Sequence, residues 1–209
     1  MQFSKEFKEA LSELPSKEKD KLIFRLLKKD IGLANRLLFE LVDTRTVDER
    51  RELLEERVRK RVQLFSERYY SPGYLMMDLR DLSGEINEHV SITKDKFGEV
   101  TLNLLMLNTV LQRNNPKITA AGLQKSQKFT IYSIARAFKL LLLIHKMHED
   151  YQLDFKPQVR ELGELIAQSD ELMKTAIHHG LDVNWLTRFE IPENIIEIHK
   201  DRRNRGYLK

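Results

Sequence analysis

Apolar residues recur three and four positions apart along most of the chain. This spacing is typical of amphipathic helices, and the strict alternation of a half-buried strand does not persist anywhere over five residues. Glycine and proline fall between the apolar runs, so the pattern predicts an all-α protein with almost no sheet. The predicted helices are residues 4–14, 17–29, 33–42, 46–70, 71–92, 93–114, 129–147, 157–179 and a short one from about 192.

The segment 129–147 is apolar around most of its helical circumference. Such a helix must be surrounded by other elements, so we expect it to be the buried centre of the fold. The predicted architecture is an irregular bundle or short α-α superhelix of about eight to nine helices. The apolar residues of the segment are Phe129, Ile131, Tyr132, Ile134, Ala135, Phe138, Leu140, Leu141, Leu142, Leu143 and Ile144.

Local signals mark several helix ends. Thr46 with Glu49 three residues later is a capping-box pattern that starts a long helix. Residues 71–73 are Ser-Pro-Gly, and the proline suits the first turn of a following helix. Residues 114–116 are Asn-Asn-Pro, which predicts the end of the preceding helix, and Gly180 predicts the end of the 157–179 helix.

Composition predicts a single hydrophobic core without disulfides or a membrane span. The 209 residues are 41% hydrophobic and 33% charged, so we expect a single helical domain over residues 1–199 and a basic tail over 200–209. Cysteine is absent, which excludes disulfides and thiolate metal sites. The first residues lack a secretory signal pattern, and the apolar run at 137–144 is far too short to span a bilayer. These features predict a cytoplasmic protein without a membrane partner.

A row of carboxylates is the first candidate site. Asp78, Asp81, Glu85 and Glu88 lie with His89 within about a quarter of one helix circumference, next to the apolar stripe of the same helix. Carboxylate oxygens that converge with a substrate phosphate could hold Mg²⁺. The alternative is a solvated acidic face paired with nearby arginine and lysine side chains.

The acidic pairs also carry a resemblance. All-α nucleoside triphosphate pyrophosphatases, the helical dUTPase-like enzymes, hold magnesium with Glu-x-x-Glu and then Glu-x-x-Asp on adjacent helices, and this chain resembles them in two places. Residues 85–88 match the first element, although no Glu-x-x-Asp follows them. A second match, with a whole helix between its two parts, combines the pairs Glu6 with Glu9 and Glu40 with Asp43. The resemblance implies magnesium-dependent nucleotide hydrolysis.

A second metal pattern lies near the end of the predicted central helix. His145, His148 and Glu149 are spaced to share a helical face, which could bind a transition metal if another helix added a ligand. The alternative is that the histidines simply complement the helix dipole at its solvated end.

Basic residues form three groups that could follow a phosphate backbone. The net charge is only +4, from 36 basic and 32 acidic residues, so general nucleic-acid binding is disfavoured. Consecutive helix positions also point in all directions, so a solvated helix is the alternative for the first group. The candidates are Arg57, Arg59, Lys60, Arg61, Lys125, Lys128, Arg202, Arg203 and Arg205.

Three functional hypotheses follow. The sequence contains neither a nucleophile elbow nor a phosphate-binding glycine loop, so the first is a non-enzymatic interaction or scaffold module that binds another protein or a second copy of itself as a homodimer. The second is a magnesium-dependent nucleoside triphosphate pyrophosphatase, and the third is nucleic-acid binding through the basic helix and tail.

Overall fold

The computed structural model describes residues 3–209, and within this range it is all-α, as predicted, with twelve helices and no strand. This is more than the eight or nine helices expected. None of the helices in this range is long and apolar enough to cross a membrane. The helices are α1 (Lys5–Glu13), α2 (Ser16–Leu27), α3 (Ile31–Leu41), α4 (Val47–Glu67), α5 (Pro72–Thr93), α6 (Lys96–Ala121), α7 (Leu123–His145), α8 (Glu149–Asp154), α9 (Lys156–Ala167), α10 (Asp170–His179), α11 (Asn184–Thr187) and α12 (Ile195–Asn204).

The chain forms two compact units. The first comprises the chain up to Arg45 together with Ser91–Thr93, and the second comprises Thr46–Val90 and Lys94–Lys209. In the first unit α2 packs on α3. In the second unit the core is built mainly from α4, α5, α6, α7, α9 and α10. The prediction of one domain over residues 1–199 stays a prediction.

The centre of the second unit is α6, so the prediction that residues 129–147 form the central helix is wrong. α6 contacts α4, α7, α9 and α10. No side chain is exposed in residues 97–111 of α6, and the same is true of residues 129–145 of α7. The buried asparagines Asn103, Asn108 and Asn114 made α6 look less apolar in sequence, but their side-chain amides donate hydrogen bonds inside the fold. α7 starts at Leu123 and ends at His145, and it packs on α6, α10 and α12.

The predicted helix end at residues 114–116 is also wrong, because α6 continues through Pro116 to Ala121. Pro116 and Gln112 are both exposed, so the proline, which leaves the Gln112 carbonyl without its helical donor, lies on the outer side of the helix. The neighbouring asparagines hold this turn in place. The Nδ2 of Asn114 lies 2.8 Å from Ser66 Oγ, and the Nδ2 of Asn115 lies 2.8 Å from the Leu165 carbonyl.

The predicted helix 157–179 is two helices, α9 and α10. Ser169, which is buried, accepts a hydrogen bond from the Leu172 amide and so caps α10. Gly180, at φ 76°, ends α10 as predicted.

The C-terminal segment belongs to the second unit. Residues 200–204 belong to α12. Leu208 is buried, and its amide donates a 3.0 Å hydrogen bond to Nδ1 of His179. Burial lowers the pKa of His179, which favours the neutral ring that can accept this bond.

Two predicted helix starts are confirmed. The Thr46 side chain accepts from the Glu49 amide, and the Glu49 carboxylate accepts from the Thr46 amide, so the capping box at α4 is complete. Pro72 occupies the first turn of α5, which Ser71 caps through the Tyr74 amide. These ends depend on a few neighbouring residues, which is why sequence alone predicts them.

Candidate functional site

The predicted carboxylate row lies on α5, and Glu85 in it forms ion pairs with α4. Glu85 Oε2 lies 3.4 Å from Arg57 Nη1, and its other oxygen pairs with Arg61. Burial raises the pKa of Asp78; the negative charge of Asp81 also raises it, while Arg61 opposes the shift. Part of the row is therefore a link between two helices of the second unit.

The remaining members of the row differ in their exposure and in their partners. Asp81 and Glu88 are exposed, and His89 is buried and directed at Asp95 instead, with Nε2 3.2 Å from Oδ2. Among residues 3–209, no group of three or more histidine and acidic side chains is placed to hold a metal ion. The magnesium site on Asp78, Asp81, Glu85 and Glu88 stays a prediction.

A buried cluster around Asp95 was missed in the sequence. The Arg51 guanidinium donates to both carboxylate oxygens of Asp95, at 2.7 and 2.9 Å, and the Gly98 amide donates at 2.7 Å. Burial raises the pKa of Asp95, but the hydrogen bonds from His89, Arg51 and Gly98 outweigh it and hold the pKa well below its usual range. The cluster joins α4, α5 and the start of α6, so we interpret it as structural. The local signal was an aspartate three residues before a glycine at a helix start.

The other acidic candidates lie in the first unit, where several have basic neighbours. Hydrogen bonds from the backbone and from Ser4 lower the pKa of Glu6. The ion pairs are Glu9 with Lys5 at 3.7 Å, Glu40 with Arg36 at 2.9 Å and Asp43 with Arg45 at 2.8 Å. The first two are i,i+4 pairs, which are ordinary on exposed helices.

The predicted metal pattern at residues 145–149 is wrong in its geometry. α7 ends at His145, His148 caps α8 through the Asp150 amide, and Glu149 is the first residue of α8. The three side chains therefore do not share one helical face. The reason is that the helix stops within the pattern, which spacing alone does not reveal.

Several of the predicted basic residues form ion pairs with acidic residues of the same chain. Arg57 and Arg61 pair with Glu85, as described above. Lys60 pairs with Glu56, and Arg205 pairs with Asp201. Arg202 packs against Gly180, while Arg59 lines a small polar pocket that also contains Glu55 and Glu161.

Two predicted basic residues do come together. Lys128 of α7 and Arg203 of α12 line one pocket of about 530 Å³, and Arg80 of α5 and Lys209 line it with them. Lys125, on the same helix as Lys128, does not line it. Sequence reasoning did not single out Arg80, because nothing local relates it to residues so distant in the chain. We call this site the basic pocket.

The first unit carries the other notable surface. α1, α2 and α3 are described in full, and none of their residues is buried. Large apolar side chains are exposed on all three helices, including Phe24 at 64% and Leu41 at 78%. We call these exposed side chains the N-terminal apolar surface. Its members are Phe7, Leu11, Ile23, Phe24, Leu26, Ile31, Leu33, Leu38 and Leu41.

Comparison with protein-family models, with curated proteins and with solved structures finds no match to this chain. The geometry of the described residues is therefore the basis for assigning a function.

Proposed function

We propose that this protein is a helical interaction module that pairs with a second copy of itself through the N-terminal apolar surface. The observation that carries the proposal is the burial pattern of α1, α2 and α3. Apolar residues recur on these helices at the spacing of an amphipathic face, yet none of them is buried. A large number of exposed apolar side chains on neighbouring helices is typical of protein interaction sites.

The composition of the polar side supports a second copy as the partner. Basic and acidic residues are nearly balanced on α1, α2 and α3, and pairs such as Lys5 with Glu9 and Arg36 with Glu40 neutralise each other locally. A surface without a strong charge of either sign offers little to a highly charged partner. A two-fold pair, in which the same surface is used on both chains, requires only this kind of self-complementarity.

Sedimentation velocity of the whole protein over a wide concentration range tests the proposal. We expect a monomer–dimer equilibrium, and we expect Phe24→Glu and Leu38→Glu each to weaken dimerisation by about thirtyfold or more if they lie at its centre. Neither side chain is buried in the described chain, so the variants should keep their helical circular dichroism.

The matched control is Ile177→Glu. Ile177 is an exposed apolar residue on α10 of the second unit, and its replacement adds the same charge away from the N-terminal apolar surface. We expect it to leave dimerisation unchanged. A wild-type protein that stays monomeric at every concentration would refute the proposal, as would a dimer that Ile177→Glu weakens as strongly as Phe24→Glu does.

A further inference from the structure

The basic pocket is a concave site built from three helices of the second unit. Its volume of about 530 Å³ falls within the range of pockets that hold small organic ligands. Met76 of α5, together with Ile131 and Tyr132 of α7, contributes apolar wall. The pocket is therefore large enough for a ligand with both a charged and an uncharged part.

The charged side chains of the lining are all basic. Arg80, Lys128, Arg203 and Lys209 are the ionisable side chains with formal charge at neutral pH, and no aspartate or glutamate is among the described residues that line the pocket. Elsewhere in the second unit several basic residues have acidic partners, as Arg57, Arg61 and Arg205 do. A concave site with positive side chains and apolar walls concentrates a positive potential that favours an anionic ligand.

Both arginines of the basic pocket have contacts within the fold. Arg203 Nη1 donates a 2.8 Å hydrogen bond to the Leu208 carbonyl. The Arg80 guanidinium lies 5.8 Å from the centre of the Tyr132 ring, and Arg136 lies 5.3 Å from the same ring. The Tyr132 hydroxyl in turn donates to the Leu79 carbonyl at 3.4 Å. Ordering of these side chains in advance reduces the entropy lost on binding.

From this arrangement we infer that the basic pocket binds a small molecule that carries two or more phosphate groups, such as a nucleoside diphosphate. Planar guanidinium groups match phosphate oxygens in pairs, and Lys128 adds a mobile point charge. Because several basic side chains line one site, a ligand with more than one negative charge is favoured over a ligand with a single charge. The apolar wall accommodates the uncharged part of the ligand. This inference is independent of the proposed dimerisation, which involves the other unit.

Isothermal titration calorimetry of the whole protein tests the inference, with ADP, inorganic pyrophosphate and adenosine as probes. We expect ADP and pyrophosphate to bind and to compete with each other, and adenosine not to bind. Binding should weaken as salt is raised, since the attraction is partly screened. Lys128→Gln should weaken ADP binding about tenfold or more, because it removes one charged contact.

The matched control is Lys125→Gln, on the same helix but outside the basic pocket. It should change ADP affinity by no more than about twofold, since only weak screened attraction is lost. Arg203→Gln provides a second pocket variant, and thermal melting checks that it folds, because Arg203 also holds Leu208. No heat from ADP or pyrophosphate would overturn the inference. So would adenosine binding as tightly as ADP, or an equal effect of Lys125→Gln and Lys128→Gln. Single-stranded RNA is a further probe. If the protein binds it, and if Lys125→Gln and Lys128→Gln weaken that binding equally, general nucleic-acid binding replaces the inference.

Discussion

Asp95 is a buried carboxylate with several hydrogen-bond donors around it. It is buried, it receives both arms of Arg51, and it caps α6 through the Gly98 amide. Removing one partner of a buried ion pair leaves the other charge without compensation. We expect Asp95→Asn to lower the free energy of unfolding by about 3–5 kcal/mol, measured by urea denaturation.

Asp48→Asn is the control for this variant. Asp48 also pairs with Arg51, at 3.0 Å, but its side chain is 76% exposed. A solvent-exposed pair contributes little, so the loss should stay below about 1 kcal/mol. Equal losses from the two variants would contradict the structural role given to Asp95.

The low pKa of Asp95 also predicts how stability depends on pH. Its folded-state pKa lies below the value of about 3.9 in an unfolded chain, so the unfolded protein takes up the proton first as pH falls. The stabilisation from this carboxylate is therefore present above pH of about 4 and is lost as pH drops through the folded-state pKa. Urea midpoints measured from neutral to acidic pH should fall more steeply for the wild type than for Asp95→Asn.

Two glycines form a matched pair with opposite expected effects. A Cβ at Gly163 would lie 2.8 Å from Leu186 Cβ and from the Thr187 amide nitrogen, whereas a Cβ at Gly84 would meet nothing within 4 Å. Gly163→Ala should destabilise the protein by about 1–3 kcal/mol, because α9 and α11 must move apart. Gly84→Ala, in an exposed turn of α5, should stabilise it by about 0.5–1 kcal/mol. Thermal melting of the two variants and the wild type measures these changes. If Gly163→Ala leaves the stability unchanged, the packing of α9 against α11 can relax around the added methyl group.

At the scale of the element, α6 is notable because it contains a proline and does not end there. Pro116 removes one backbone hydrogen bond on an exposed side of the helix. We expect Pro116→Ala to raise the free energy of unfolding by about 1–3 kcal/mol through the restored bond and better helix propensity. Arg113→Ala, an exposed control one turn earlier, should change it by less than about 0.5 kcal/mol. Loss of stability in Pro116→Ala would mean that the proline itself is needed for packing.

The elements also show which features sequence could predict. The positions of α1 to α5 and the capping box at Thr46 depend on residues a few positions apart, and these were predicted. The burial of α6 depends on distant partners, as when Asn108 donates to the Gln158 carbonyl at 2.9 Å. The basic pocket has the same origin, since Arg80, Lys128 and Arg203 meet only through the packing of α5, α7 and α12. Local periodicity carries no information about contacts between residues that are distant in the chain.

At the scale of the whole molecule, burial is concentrated in the second unit. Almost every buried apolar residue lies at position 54 or later. We therefore expect a shortened chain that starts at Thr46, which keeps its cap on α4, to unfold in one cooperative transition. Circular dichroism on heating measures this, and the full-length protein is the control. A broad, gradual transition would show that the second unit needs the first.

The central position of α6 has a consequence for biosynthesis. Its neighbours include α4, which precedes it in the chain, and α7, α9 and α10, which follow it. A ribosome therefore releases α6 before most of the helices that cover it have been made, and the sides of α6 that α7, α9 and α10 cover stay without partners until residues as far as His179 emerge. Nascent chains at that stage are the form most prone to aggregate, and they are the form that a chaperone would meet.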